Sequence, residues 1–133
     1  MKTVKVFIEK STFGYSAYME DSSLSYACIG EGKTVEEAIS DFKDSYEEVK
    51  EYSTGHSEPF EKANFEFFYD TASFLEEYSN AFSLAGLERI TGINQTQLGH
   101  YLHGRSKPSR KTIEKIQKGI LDFAHELTAV KFA

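Results

Sequence analysis

Tryptophan is absent and cysteine occurs once, at Cys28, so the chain can form no internal disulfide. A lone thiol and four scattered histidines also lack the spacing of a metal site, and no metal or cofactor is expected. Long apolar runs are missing too. Nothing approaches the length of a membrane-spanning helix, and residues 1–9 alternate charged and apolar side chains where a secretory signal would be continuously apolar. These absences point to a reducing compartment, a cytoplasmic protein and no membrane partner. What is present suffices for a core: 11 Phe and 8 Tyr bring the aromatic share to 14% within a hydrophobic share of 40%, which argues against disorder. A length of 133 residues is ordinary for one domain, so any second module must be small.

The net charge of −6 hides a division. Residues 1–70 hold seven Lys and 15 Asp or Glu, a balance of −8; residues 71–133 hold eight Lys or Arg and six acids, a balance of +2. Across residues 90–120 the only acid is Glu114, against Arg105, Lys107, Arg110, Lys111, Lys115 and Lys118. An acidic half and a basic stripe imply two partners of opposite charge.

Val4, Val6 and Ile8 recur at a period of two, as do Phe13, Tyr15, Ala17 and Met19 after a break at Ser11 and Thr12, which reads as a β-hairpin. Asp21, Ser22 and Ser23 turn the chain. A short third strand is expected over residues 26–29, ending at the flexible Gly30-Glu31-Gly32. Thr34 and Glu37 form a capping box in which the hydroxyl accepts from an orphan N–H and the carboxylate returns to the cap residue. Val35, Ala38, Ile39, Phe42, Tyr46 and Val49 then share one helical face, and the helix should end near Tyr52. After a polar linker with Pro59, Phe65, Phe67 and Tyr69 mark a last strand, giving β-β-β-α-β over residues 1–70. Residues 71–133 change to helices: one marked by Ala72, Leu75 and Tyr78, one by Leu84, Leu87 and Ile90, one over residues 94–102, and one capped by Ser109 whose stripe runs from Ile113 through Ile116, Ile120, Phe123 and Leu127 to Val130. The fold class is therefore α+β, with domains at 1–70 and 71–133. The last stripe outruns so small a domain and suits a homodimer or higher homo-oligomer.

The run Gly92-Ile93-Asn94-Gln95-Thr96-Gln97-Leu98-Gly99-His100-Tyr101-Leu102-His103-Gly104 carries the functional reading. Gly92 supplies a left-handed cap, Ile93 plugs the space between two helices, and Asn94 caps the next helix. Amides and hydroxyls at the start of a helix suit base edges, since Gln can bond adenine at two atoms and Thr can meet a thymine methyl. The candidate contacts to double-stranded DNA are Asn94, Gln95, Thr96, Gln97, Gly99, His100 and Tyr101. Arg105, Lys107 and Arg110, with backbone N–H groups at the helix starts, are expected on phosphate. The segment resembles the λ-repressor and Cro (XRE-type) helix-turn-helix, including the Gln-Thr pair that opens the second helix and the later Lys-Pro-Ser run. It departs at Glu88, where that family usually has a small residue between the helices. Either the helices approach less closely or Glu88 rotates outward.

The hairpin followed by Cys28-Ile29-Gly30-Glu31-Gly32-Lys33-Thr34-Val35-Glu36-Glu37-Ala38 resembles the HicB antitoxin family. It departs in the loop Glu20-Asp21-Ser22-Ser23-Leu24 and at Lys33. The resemblance implies a partial ribonuclease-H-like module without catalytic function that masks a small basic HicA-type ribonuclease toxin, while the other domain represses the operon encoding both. Charge points the same way, because a surface that binds RNA is positive and a module at −8 complements it. The alternatives are a stand-alone transcription regulator sensing a small molecule or protein, and a nuclease using Asp21, Asp41, Asp44 and Asp70 on two metal ions. The nuclease is disfavoured because Asp41 and Asp44 fall on the outward helix face. His100 and His103 read as a surface pair, and Cys28 as a small buried residue.

Overall fold

In a computed structural model, which describes residues 1–20 and 23–133, strand β1 (Lys2–Ser11) buries Val4, Val6 and Ile8 on one side and leaves the alternate residues on the other. A tight hairpin through Thr12 and Phe13 leads to β2 (Gly14–Met19), paired antiparallel from Ser11↔Gly14 to Val6↔Met19. Gly14 has φ +146, and a Cβ there would stand 2.3 Å from the Gly32 carbonyl oxygen, so only glycine fits. The turn expected at Asp21 and Ser22 lies outside the described residues.

Strand β3 is Ile29–Gly32, not residues 26–29. The glycines that read as a flexible strand end are the strand itself, paired Ala17↔Gly30 and Tyr15↔Gly32. The reason lies across the layer. A Cβ on Gly30 would sit 2.2 Å from the Ala38 carbonyl oxygen and 2.4 Å from the Phe42 nitrogen, so β3 rests directly on the backbone of helix α1 (Val35–Gly55). That helix starts as the capping box requires, with the Glu37 N–H donating to Thr34 Oγ1 at 3.1 Å. The Glu37 carboxylate returns to the N–H of Lys33 at 2.8 Å, one residue before the cap. Gly55 keeps a helical φ, so α1 continues past Tyr52 and stops where Ser57 turns to φ +54.

Strands β3 and β4 (Ala63–Tyr69) flank an antiparallel pair in the order β3-β2-β1-β4, with β4 parallel to β1. Such an arrangement needs a long crossover, which α1 supplies. Val35, Ala38 and Phe42 of the helix are buried against Val6, Ile8, Tyr15, Ala17 and Cys28. Phe42 meets Phe65 and Phe67 edge to face, at centroid distances of 4.9 and 5.7 Å, and such pairs contribute about 0.5–1.5 kcal/mol each beyond area burial. The polar linker is pinned by rings: Phe60 stacks on Tyr26 at 5.1 Å, and the Tyr26 hydroxyl donates to the Glu61 carbonyl at 2.6 Å.

The chain forms two compact units, Met1–Ser73 and Phe74–Ala133. Helix α2 (Thr71–Glu77) is capped by Asp70, whose carboxylate accepts from the Ser73 N–H at 2.7 Å. The second unit continues with α3 (Leu84–Thr91), α4 (Gln95–Leu102) and α5 (Arg110–Thr128). Leu75, Leu87, Leu98, Tyr101 and Ile116 form its core, with Phe82, Leu84, Ile93 and Ile120 packed around them. Gly119, in the middle of α5, lets that helix touch α3: a Cβ there would lie 2.6 Å from the Ile90 carbonyl oxygen. Helix α5 ends at Thr128, so Val130 lies beyond it, while Leu121 and Leu127 are exposed on its distal half. The chain is α+β, and its described residues form a four-stranded sheet with five helices. Among the described residues no helix is long and apolar enough to cross a membrane.

Candidate nucleic-acid interface

The link between α3 and α4 is three residues long, and groups on both sides of it hold its backbone at several points. Gly92 adopts φ +75 and its N–H returns to the Glu88 carbonyl at 2.7 Å. The buried Thr91 hydroxyl donates to the Leu87 carbonyl at 2.7 Å and accepts the Ile93 N–H at 3.1 Å. Ile93 turns inward onto the core. Asn94 Oδ1 accepts the Thr96 N–H at 2.8 Å, and Glu88 Oε1 accepts the Gln95 N–H at 2.9 Å. With each of these groups partnered, the start of α4 is held in one orientation relative to α3.

Helix α4 has two distinct sides. Leu98 is 0% and Tyr101 6% exposed, and both belong to the core. Asn94, Gln95 and Thr96 are exposed, while Gln97, Gly99 and His100 are half-buried. Tyr101 is thus misplaced among the DNA contacts: it stands three residues after Leu98, on the same helical face, and packs inward. Gln97 is turned toward the following loop, its amide 3.4 Å from Ser106 Oγ. Past the left-handed Gly104, the Arg105 N–H donates to the His100 carbonyl at 2.9 Å, which ties the basic loop to the end of α4.

Arg105, Lys107, Arg110 and Lys111 are exposed. Arg110 lies 3.4 Å from Glu114 in a solvent-exposed pair, which contributes about 0–1 kcal/mol and leaves the guanidinium accessible. Lys115 reaches back to the turn: a Cβ on Gly92 would touch its Nζ at 3.4 Å, which places an ammonium beside the cap that ends α3. Glu88, the departure from the expected pattern, does not simply swing into solvent: it is half-buried and its carboxylate caps α4. One expectation is corrected by it. The Gln95 and Thr96 N–H groups already hold Glu88 and Asn94, so they are not open to phosphate.

The residues considered for other chemistry are dispersed. Asp41 accepts the Glu31 N–H at 2.9 Å, Asp44 is exposed, Asp70 caps α2, and Asp21 lies outside the described residues. His100 is half-buried in α4 and His103 is its exposed C-cap. Among the described residues no three His, Cys, Asp or Glu side chains are grouped to hold a metal ion. Cys28 is buried, and burial pushes its thiol above the ordinary range, as expected of an inert core residue. Thr91 is the site residue that sequence reasoning missed, and the capping role is what it missed of Glu88. Thr91 bonds only to near neighbours, Leu87 and Ile93, and a lone threonine there does not announce that role; Glu88 stands out as a departure, but its partner lies seven positions on across the turn. No family model, curated protein or solved structure matches this chain.

Proposed function

We propose that Phe74–Ala133 is a helix-turn-helix unit of the λ-repressor and Cro type that binds double-stranded DNA. On this reading α4 enters the major groove, Gln95 and Thr96 read base edges, and Arg105, Lys107, Arg110 and Lys111 neutralise phosphates. The observation that carries it is the α3–α4 turn, where the N–H groups of Gly92, Ile93, Gln95 and Thr96 are each held and two side chains able to read bases, Gln95 and Thr96, stand exposed. A groove reader needs that preorganisation, since each base contact depends on sub-ångström placement. The exposed Leu121 and Leu127 of α5 support a dimer, which would present two copies of α4 to two half-sites.

We further propose that Met1–Ser73 is a HicB-like, partial ribonuclease-H-like module that neutralises a small basic HicA-type ribonuclease, making the chain an autorepressing antitoxin. Its β-β-β-α-β order and its charge of −8 support this reading. Two measurements test the pair of proposals. Fluorescence anisotropy on the promoter fragment upstream of the chain's own gene should show tighter binding than on a scrambled duplex of equal length; equal affinity for both ends the operator reading. Co-expression with the product of a neighbouring gene for a small Lys- and Arg-rich protein should restore growth. Promoter binding without rescue would make the chain a stand-alone regulator.

A further inference from the structure

The sheet has a second face, opposite α1, and it is built around one row of side chains. Tyr18↔Ile29, Phe7↔Tyr18 and Phe7↔Phe68 are direct register partners, so Ile29, Tyr18, Phe7 and Phe68 run side by side across all four strands. Strand alternation turns them away from Val6, Ile8 and Ala17, which face the helix. The Phe7 ring lies 6.0 Å from both Tyr18 and Phe68, yet Ile29 is 57%, Phe68 40% and Tyr18 38% exposed. A contiguous apolar row of this kind on a small module marks an interaction site.

Its rim is acidic. Alternation puts Glu9, Glu31 and Glu66 on the same face, and Lys5 is the basic residue among them. The Tyr18 hydroxyl is raised above its ordinary pKa, first by its hydrogen bond with Glu9, then by burial and by the charges of Glu9, Asp70 and Glu20. Lys5 shows how a cation sits here, its Nζ 5.3 Å from the centroid of Phe68.

An aromatic sheet face suits either single-stranded nucleic acid stacked on the rings or the cationic side chains of a protein. Charge decides between them. Phosphates would approach Glu9, Glu31 and Glu66 within a module at −8, and a second copy would bring two such modules together. We propose that this face is the docking site for an Arg- and Lys-rich protein partner, with cationic side chains over Phe7, Tyr18 and Phe68 and ion pairs to Glu9, Glu31 and Glu66. The inference rests on the partner-neutralising reading and places the contact on the sheet, not on the acidic outer side of α1.

Two experiments with the full chain test it. In the first, the isotope-labelled protein is titrated with a synthetic peptide of alternating Arg and Leu. Amide shifts should concentrate at Lys5, Phe7, Tyr18, Ile29 and Phe68 and weaken with salt. The same shifts from oligouridylate or from raising the protein's own concentration, shifts confined to Asp44, Glu47 and Glu48 of α1, or no shifts at all would overturn the proposal. In the second, the Tyr18→Lys/Phe68→Lys variant is compared with Asp44→Lys/Glu47→Lys in the growth-rescue assay, with circular dichroism confirming that both fold. Only the sheet variant should bind the basic neighbour about tenfold or more weakly and lose rescue. If the wild type rescues and the sheet variant rescues equally well, the docking site is wrong and the antitoxin reading stands. If the wild type fails to rescue, that reading falls, and the peptide titration alone judges the face.

Discussion

The Glu88 carboxylate accepts the backbone N–H of Gln95 at 2.9 Å, so the last full turn of α3 caps the helix that follows it. This contact stabilises the positive end of the α4 dipole, and it also keeps a negative charge beside the surface proposed to meet DNA. The two effects separate by substitution. Glu88→Gln keeps an acceptor for Gln95 and removes the charge, whereas Glu88→Ala removes both. Glu88→Ala should lower stability by about 0.5–2 kcal/mol, the range for a lost helix cap, in a chemical denaturation series. Glu88→Gln should cost less and tighten binding to promoter and scrambled duplex alike in low-salt anisotropy. Weaker binding by Glu88→Gln at unchanged stability would show that the carboxylate does not oppose the duplex.

Gly119 presents a competition between helix propensity and contact. Replacing a glycine inside a helix by alanine ordinarily stabilises by about 1 kcal/mol. Here the new Cβ would lie 2.6 Å from the Ile90 carbonyl oxygen and 2.8 Å from Thr91 Cα, both backbone atoms, and overpacking of this kind costs about 1–3 kcal/mol. The steric cost should win, so Gly119→Ala lowers the melting temperature. Because Thr91 supports the turn, the same variant should weaken promoter binding. A raised melting temperature would mean that α5 can move off α3 freely.

These two residues also mark where the sequence stops being readable. The Thr34–Glu37 box, the Val35–Ala38–Phe42 face and the Gly92–Ile93–Asn94 turn are local devices, and their residue types state their roles. Gly30 and Gly119 are different. Each is glycine because a distant backbone touches it, and a lone sequence shows glycine only as a break. The inward direction of Tyr101 was legible from its spacing to Leu98. Glu88 was visible as an oddity, and what it does depends on how the turn folds.

Tyr26 links the linker to the sheet and should make stability fall at alkaline pH. Burial above all, then the neighbouring Tyr46, Cys28 and Glu61, push its hydroxyl up to about 12 from an ordinary value of 10.0. The neutral form is therefore favoured in the folded state. Its contribution is complete below pH 10, where the unfolded chain also holds the proton, and is lost as pH rises through about 12. Stability from denaturant unfolding should decline across that window, and Tyr26→Phe should flatten the decline while removing the hydrogen bond to Glu61 at 2.6 Å. An unchanged slope in Tyr26→Phe would place the alkaline sensitivity elsewhere.

Gln95 and Lys107 should fail in different ways if α4 reads bases and the loop after it holds phosphates. Both are exposed, so neither substitution should disturb the core formed by Leu87, Leu98 and Tyr101. A Gln amide that bonds one base edge loses about 1–3 kcal/mol of discrimination when truncated, and the loss is confined to the base pair it meets. Gln95→Ala should therefore bind the operator more weakly, bind scrambled duplex unchanged, and tolerate substitution at one position of the site. A lysine on phosphate releases about one counterion, so Lys107→Ala should weaken every duplex and reduce the slope of log K against log salt by roughly 1. Anisotropy titrations over a salt series, on the operator and its single-base variants, measure both quantities together. Equal losses from the two variants on all duplexes would leave binding electrostatic, with α4 outside the groove.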